Sequence, residues 1–188
     1  MKIIDNFITP EQQDLLLEYV SSNKFPYRFQ PTHINSGDEL WAHAPDQLTH
    51  HLYMHGEKAS SPHLQIIRPL FDAIVRECGN ITLFRAKVNV TSPCPPYSKY
   101  EPHVPHVDLG YEDGVKIDHM VCIYYINYSD GPTMFFDNAW DLVDTVYPQK
   151  GRAIIFDGNT FHAGSSPVLS PFRFVMNLDF RQGLNQTP

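Results

Sequence analysis

His106 and Asp108 stand two apart in the segment PHVPHVDLG, and on a strand or extended turn that spacing sends both side chains to the same side. An imidazole and a carboxylate so placed can share one ion. In a chain with 10 histidines, an isolated His-x-Asp is more readily a surface pair than a metal site. Two residues downstream add weight to the metal reading. His162 comes 54 positions after Asp108, in the turn expected after the apolar strand RAIIFDG, and Arg173 heads the strand RFVMNLDF eleven positions later. Two imidazoles and one carboxylate suit a single face of an octahedral iron(II), which leaves three positions open for exogenous ligands. A closed structural zinc site would instead require four protein ligands, typically including thiolates. Cys78, Cys94 and Cys122 contain no CxxC pair and form no even set, so neither thiolate zinc nor a disulfide framework is expected.

The elements that must position these residues are read from periodicity. Thr9, Pro10 and Gln12 predict a capping box with proline in the first helical turn, and Leu15, Leu16, Tyr19 and Val20 recur at helical spacing behind it. Ile3, Ile4 and Phe7 read as a short strand or anchoring segment. From Pro26 to Ser61 there is no clean period, and the segment is expected to form long loops carrying His33, His43, His50, His51, His55 and Trp41. Leu64, Ile67, Phe71, Ile74 and Cys78 predict a second helix, kinked or split at Pro69 and ended by Gly79. From Ile81 the period shifts toward two, in ITLFRAKVNV, HMVCIYYINY, TMFF, RAIIF and RFVMNLDF. Helices followed by many short strands predict a mainly β fold with N-terminal helices, a sandwich or closed jelly roll.

Composition bounds the rest. A chain of 188 residues with 42% hydrophobic content is expected to form a single domain over 1–188. Residues 1–80 would supply helical support and loops, and 81–180 the β core. A net charge of −7 repels nucleic-acid phosphates and anionic lipid. No signal-peptide core or membrane-length apolar run is present, so a cytoplasmic protein with neither nucleic-acid nor membrane partners is expected. The histidines between residues 31 and 63 lack the regular spacing of a second metal site, and loop histidines are usually solvated. Trp41 and Trp140 suit either core packing or a substrate-facing lid.

Beyond the ordered His106, Asp108, His162 and Arg173, two longer blocks carry a family likeness. HMVCIYYINYSDGPTMFF and YPQKGRAIIFDGNTFHAG resemble the Fe(II)/2-oxoglutarate-dependent dioxygenases, in their prolyl 4-hydroxylase-like branch, over about Ile81 to Phe180. The resemblance implies a double-stranded β-helix (jelly-roll, cupin-like) core buttressed on one sheet by the N-terminal helices. It implies that His106, Asp108 and His162 hold Fe(II), that Arg173 pairs with the distal carboxylate of 2-oxoglutarate, and that Tyr125 donates to the same carboxylate. Thr133 and Asn177 would belong to the pocket wall. The implied reaction uses O2 and 2-oxoglutarate to hydroxylate a substrate C–H bond, in a peptide, a protein or a small molecule, with a prolyl residue the branch's own substrate. The chain departs from collagen-type relatives in that Tyr100-Glu101-Pro102 leads to His103, with the His-x-Asp three residues later. Asn89, Tyr97 and Tyr100 are all therefore candidates for the metal-proximal end of 2-oxoglutarate. His103 as a ligand is disfavoured, because its i+2 residue is Pro105 and brings no carboxylate. The rival readings are a cupin-type metal enzyme that does not use 2-oxoglutarate, and a non-catalytic ligand-binding jelly roll.

Overall fold

The computed structural model of the chain describes residues 1–30, 47–57, 60–93, 102–112 and 115–183. Helix α1 (Pro10–Val20) opens with the expected capping box. The Thr9 side chain accepts from the Gln12 N–H, and the Gln12 side chain accepts from the Thr9 N–H. The second helical segment is split as the proline predicts, into a 3-10 turn (Leu64–Ile67) and helix α2 (Arg68–Cys78). Pro69 falls in the first turn of α2, where a missing N–H costs nothing. Gly79 ends the helix at φ 78°, a backbone conformation that favours glycine.

The strands are β1 (Lys2–Ile4), β2 (Arg28–Gln30), β3 (Gln47–Met54), β4 (Ile81–Thr91), β5 (Tyr111–Glu112), β6 (Val115–Lys116), β7 (Met120–Tyr125), β8 (Thr133–Phe136), β9 (Leu142–Val146), β10 (Ala153–Asp157), β11 (Phe161–Gly164) and β12 (Arg173–Gln182). Seven of them make a major antiparallel sheet in the order β1-β10-β7-β12-β4-β3-β2, and β11-β8-β9 make a minor one. Between the sheets, Val121, Ile123, Tyr125, Ile154, Phe156 and Val175 of the major sheet pack against Phe135 and Val146 of the minor sheet. The opposite face of the major sheet carries Ala86, Val88, Cys122, Tyr124, Ala153, Ile155, Met176, Leu178 and Phe180, and against it lie Leu16 and Val20 of α1 with Leu70, Ala73 and Ile74 of α2. Period-two alternation thus gives each central strand one face toward the helices and one toward the barrel interior. This is the helix-buttressed double-stranded β-helix that the strand pattern and the resemblance led us to expect.

Three expectations need correction. The segment from Pro26 to Ser61 is not only loop, because β2 and β3 add two strands to the edge of the major sheet. Histidines and a register shift between His51 and Tyr53 obscure the period of QLTHHLYM. His162 lies not in a turn but within β11, a strand too short to announce itself. Strand β9 was also unmarked, since its residues Leu142 and Val143 are exposed rather than alternating in and out. His33, His43, Trp41, Cys94, Tyr97 and Tyr100 lie outside the described residues. Among those described, no helix is long and apolar enough to cross a membrane.

Ile74 is fully buried where α2 meets the major sheet, whereas Leu15 on α1 is 66% exposed despite its place in the apolar pattern. We expect Ile74→Ala to lower the unfolding free energy by about 2–5 kcal/mol and Leu15→Ala to change it by less than about 0.5 kcal/mol. Urea unfolding followed by circular dichroism measures both. A near-neutral Ile74→Ala would contradict the packing of α2 on the sheet.

Candidate active site

The chain before β5 folds back along β11. Isolated bridges join Pro102 to Ser165 and His106 to His162, and each histidine N–H of the second pair donates to the other's carbonyl at 3.0 Å. This pairing brings two sequence-distant imidazoles side by side, their ring centroids 4.9 Å apart. Asp108, two residues on, completes a group whose ligand atoms all lie within 4.8 Å of one another. His106 Nε2 is 4.0 Å from Asp108 Oδ1, and His162 Nε2 is 3.4 Å from Asp108 Oδ2. His106 Nδ1 lies 2.9 Å from the Val104 carbonyl and His162 Nδ1 lies 3.1 Å from that of Thr160. A carbonyl only accepts, so both Nδ1 atoms carry the proton and both Nε2 lone pairs point into the shared space, the arrangement that orients metal-binding imidazoles. Asp108 Oδ2 is buried with no hydrogen-bond partner. These donors fit a divalent cation. The His106 side chain is 50% exposed while those of Asp108 and His162 are 1% and 3% exposed, so the group opens to solvent on the His106 side.

Behind Asp108 lies an ion cluster that sequence reading missed. Arg85 on β4 pairs with both Asp108 and Asp179 of β12. Burial pushes the Asp108 carboxyl up, but the neighbouring positive charges of Arg85 and Lys87 help hold the group well below the usual carboxylate range. Burial and the neighbouring Asp108 charge push Asp179 the other way, upward. The trace of this cluster in sequence was the polar alternation Arg85, Lys87, Asn89, Thr91 set between Ala86, Val88 and Val90, which marks a strand with a polar inner face.

A cavity of about 80 Å³ leads from the histidines into the barrel, lined among others by Lys87, Asn89, His103, Thr133, Arg173 and Asn177. At its inner end the Arg173 guanidinium is buried. Its Nε donates to the Gly131 carbonyl and its Nη2 to Thr133 Oγ1, each at 2.8 Å, and Tyr125 donates to the same Thr133 oxygen at 2.8 Å. A Cβ on Gly164 would stand 3.2 Å from Arg173 Nη1, so glycine leaves that nitrogen room. No carboxylate pairs with Arg173 among the described residues. Burial pushes the Arg173 and Tyr125 groups toward their neutral forms, arginine downward and tyrosine upward. A buried guanidinium without an acid is costly unless an anion completes it.

Of the seven residues singled out in sequence, His106, His162, Arg173, Thr133 and Asn177 line this cavity, while Asp108 adjoins it beside His162 and Tyr125 reaches it through its hydrogen bond to Thr133. Asn89 lines the cavity as well, and its Oδ1 lacks a partner. His103 stands in the wall rather than in the three-residue group. Its Nδ1 lies 3.4 Å from Gln47 Nε2 and its Nε2 3.3 Å from Ser166 Oγ, and burial, then the Arg173 charge, pushes its pKa down to about 3. Two of the described histidines of the His-rich segment are engaged elsewhere, while His51 pairs in register with Lys87. His50 meets Ser61 at 2.8 Å, His63 meets Tyr19 at 2.6 Å, and both rings pack on Phe25. Trp140 is half exposed, at φ 69°, with its ring 4.7 Å from that of Phe161 on β11.

No family model and no curated protein sequence matches the chain. Solved structures do. The viral collagen prolyl hydroxylase of Paramecium bursaria Chlorella virus-1, in complex with 2-oxoglutarate, aligns with 97% of this chain and 96% of its own at a TM-score of 0.58 and 17% identity. A prolyl hydroxylase from Trichoplax adhaerens, in complex with a peptide of hypoxia inducible factor, aligns over 96% and 83% at a TM-score of 0.60 and 14% identity. The epimerase SnoN, in complex with Fe3+, α-ketoglutarate and a nogalamycin compound, aligns over 96% and 78% at 0.62 and 10% identity. The chain has the fold of these 2-oxoglutarate and iron enzymes.

Because Arg85 is the shared ion-pair partner of two buried carboxylates, Arg85→Met removes the salt bridge of both and is expected to cost about 3–5 kcal/mol of stability. Asp179→Asn keeps the Arg85–Asp108 pair and should cost clearly less. Guanidinium unfolding of the two variants gives the order, and an Arg85→Met protein as stable as the parent would rule out the cluster as drawn.

Proposed function

We propose that this chain is a non-haem iron(II), 2-oxoglutarate-dependent oxygenase that hydroxylates a substrate C–H bond. The observation that carries the proposal is Arg173, a buried cation without an acidic partner among the described residues, at the inner end of the cavity whose mouth holds His106, Asp108 and His162. In this reading the Nε2 atoms of His106 and His162 and an Asp108 oxygen would hold the iron, with room left for exogenous ligands. Arg173, helped by the Thr133 and Tyr125 hydroxyls, takes the distal carboxylate of 2-oxoglutarate, a task to which a guanidinium fork is suited. Iron and its co-substrate, when bound, supply the oxidising chemistry: one atom of O2 enters succinate as 2-oxoglutarate loses carbon dioxide, and the other enters the substrate. The chain's own part is to orient the ligands through Val104 and Thr160, to keep Asp108 ionised through Arg85, and to exclude water behind Phe135 and Phe156.

Within this class, hydroxylation of a prolyl residue in a peptide or protein is the reading favoured by the CIYYIN and GRAIIF blocks and by the prolyl hydroxylases among the fold's solved examples. The SnoN likeness marks how widely one fold ranges in substrate.

His106→Ala, Asp108→Ala and His162→Ala are each expected to abolish tight iron binding in anaerobic titration while leaving the protein folded, and His103→Ala to leave iron binding intact. Arg173→Leu should weaken 2-oxoglutarate binding by roughly 2–5 kcal/mol with little effect on iron, and Tyr125→Phe should cost less. Iron-dependent conversion of 2-oxoglutarate to succinate, assayed with proline-containing peptides and with free amino acids, tests the activity. Turnover that needs no 2-oxoglutarate, or an Arg173→Leu protein of unchanged affinity, would move the assignment to a cupin-type enzyme. If free metabolites were hydroxylated and every peptide stayed inert, the prolyl reading alone would fall.

A further inference from the structure

We propose that the substrate oxidised at this site carries a carboxylate, received by Lys87 on the metal side of the cavity. The inference rests on the oxygenase reading above and adds a substrate class to it.

Lys87 belongs to the inner row of β4, pairing in register with Asn177 of β12 on one side and His51 of β3 on the other. Its side chain lines the cavity, yet among the described residues it makes no hydrogen bond and no ion pair. The two described acids whose charges act on it are engaged: Arg85 holds both Asp108 and Asp179. Nor does Lys87 serve the inner end of the cavity. Arg173 pairs in register with Thr91, four residues along β4 from Lys87, a separation of roughly 13 Å along the strand. The field of Lys87 falls on Asp108, Asp179 and His106, whereas that of Arg173 falls on Tyr125 and His103.

Charge balance then selects the ligand. Asp108 and Asp179 are offset by Arg85 and Lys87, so a divalent metal brings two uncompensated positive charges. The oxo-acid carboxylate of 2-oxoglutarate offsets one of them, and its distal carboxylate is spent on Arg173. Counted over the described residues, one positive charge remains on the Lys87 side of the cavity, in a half-buried setting where an unpaired ion is poorly tolerated. A substrate carboxylate neutralises it. Asn89 and Asn177 flank Lys87 with carboxamide oxygens that are buried and lack partners, so the same ligand is expected to bring an N–H or O–H donor. A free amino or hydroxy acid meets both demands, and so does a peptide with an acidic side chain near the oxidised residue; the shared chemistry is the carboxylate.

The test uses the full-length protein loaded with Mn(II) and saturated with 2-oxoglutarate, titrated calorimetrically with matched pairs of probes. One arm sets the common L-amino acids against their amides, and the other sets N-acetylated, C-amidated glutamyl-prolyl peptides against their glutaminyl counterparts. We expect the acid of at least one pair to bind about tenfold or more tightly than its neutral partner. Lys87→Met should erase that preference and Lys87→Arg retain most of it, with 2-oxoglutarate affinity in both variants within about threefold of the parent. The arm in which the preference occurs identifies the source of the carboxylate. Equal binding of acids and amides, or no binding of any probe, overturns the proposal while leaving the oxygenase reading intact. So does a tenfold loss of 2-oxoglutarate affinity in Lys87→Met, which would assign the lysine to the co-substrate. If the metal-loaded parent fails to bind 2-oxoglutarate at all, the oxygenase reading itself fails and this inference with it.

Discussion

The guanidinium of Arg85 lies between two carboxylates that the fold has almost wholly removed from water, and much of the site hangs on that placement. Asp108 is a useful metal ligand only while ionised, and its side chain is 1% exposed. An isolated carboxylate so deeply buried would take up a proton instead. Arg85 supplies the compensating charge through the protein rather than through solvent, and because it binds one Asp108 oxygen, it leaves the other turned toward His162. Asp179 anchors the arginine from the neighbouring strand. Such a cluster is weak evidence for stability in general, since desolvating three ions is expensive. Its contribution here is to fix the charge state and direction of one carboxylate.

Strand β4 shows how a single element serves two incompatible environments. Ala86 and Val88 meet the helices on one face, while Arg85, Lys87, Asn89 and Thr91 face the barrel on the other. Its long ladder to β12 makes this possible, with β12 carrying Arg173, Asn177 and Asp179 in matching register. A one-residue slip of that register would exchange the two faces and put charged groups under α2. The helix-facing core therefore does more than add stability, because its apolar row locks the phase in which the polar row meets the metal group.

How far the site was legible in sequence depends on these same contacts. His106, Asp108, His162 and Arg173 stood out because residue types rare in strands flanked or interrupted apolar runs, and because the longer blocks resemble a known family. The inner and outer faces of β7 and β12 followed from period two alone. Arg85, Lys87 and Asp179 did not stand out, since a charged residue in a strand is ordinarily a solvated one, and only the pairing of strands far apart in sequence reveals that their shared face is interior. The same holds for β3, whose pattern is broken by its histidines and by a register shift, and for β11, which is defined by partners rather than by composition.

The two ends of the cavity differ in what they demand of the chain. At the inner end, Arg173, Thr133 and Tyr125 are held by one another and by the Gly131 carbonyl, a closed set on β7, β8, β12 and the turn before β8. At the outer end, the floor passes from β12 and β4 onto β3, an edge region contributed by the segment that lacks a clean period and matches no family block. A co-substrate common to many enzymes needs the first kind of environment, rigid and shared with the fold. A particular substrate needs the second, where side chains can change without disturbing the central ladder. Lys87 sits at the junction of the two: its backbone is fixed by the β4–β12 register on one side and pairs with His51 of β3 on the other. A residue so placed can decide substrate charge without entering either the metal group or the co-substrate's own binding set.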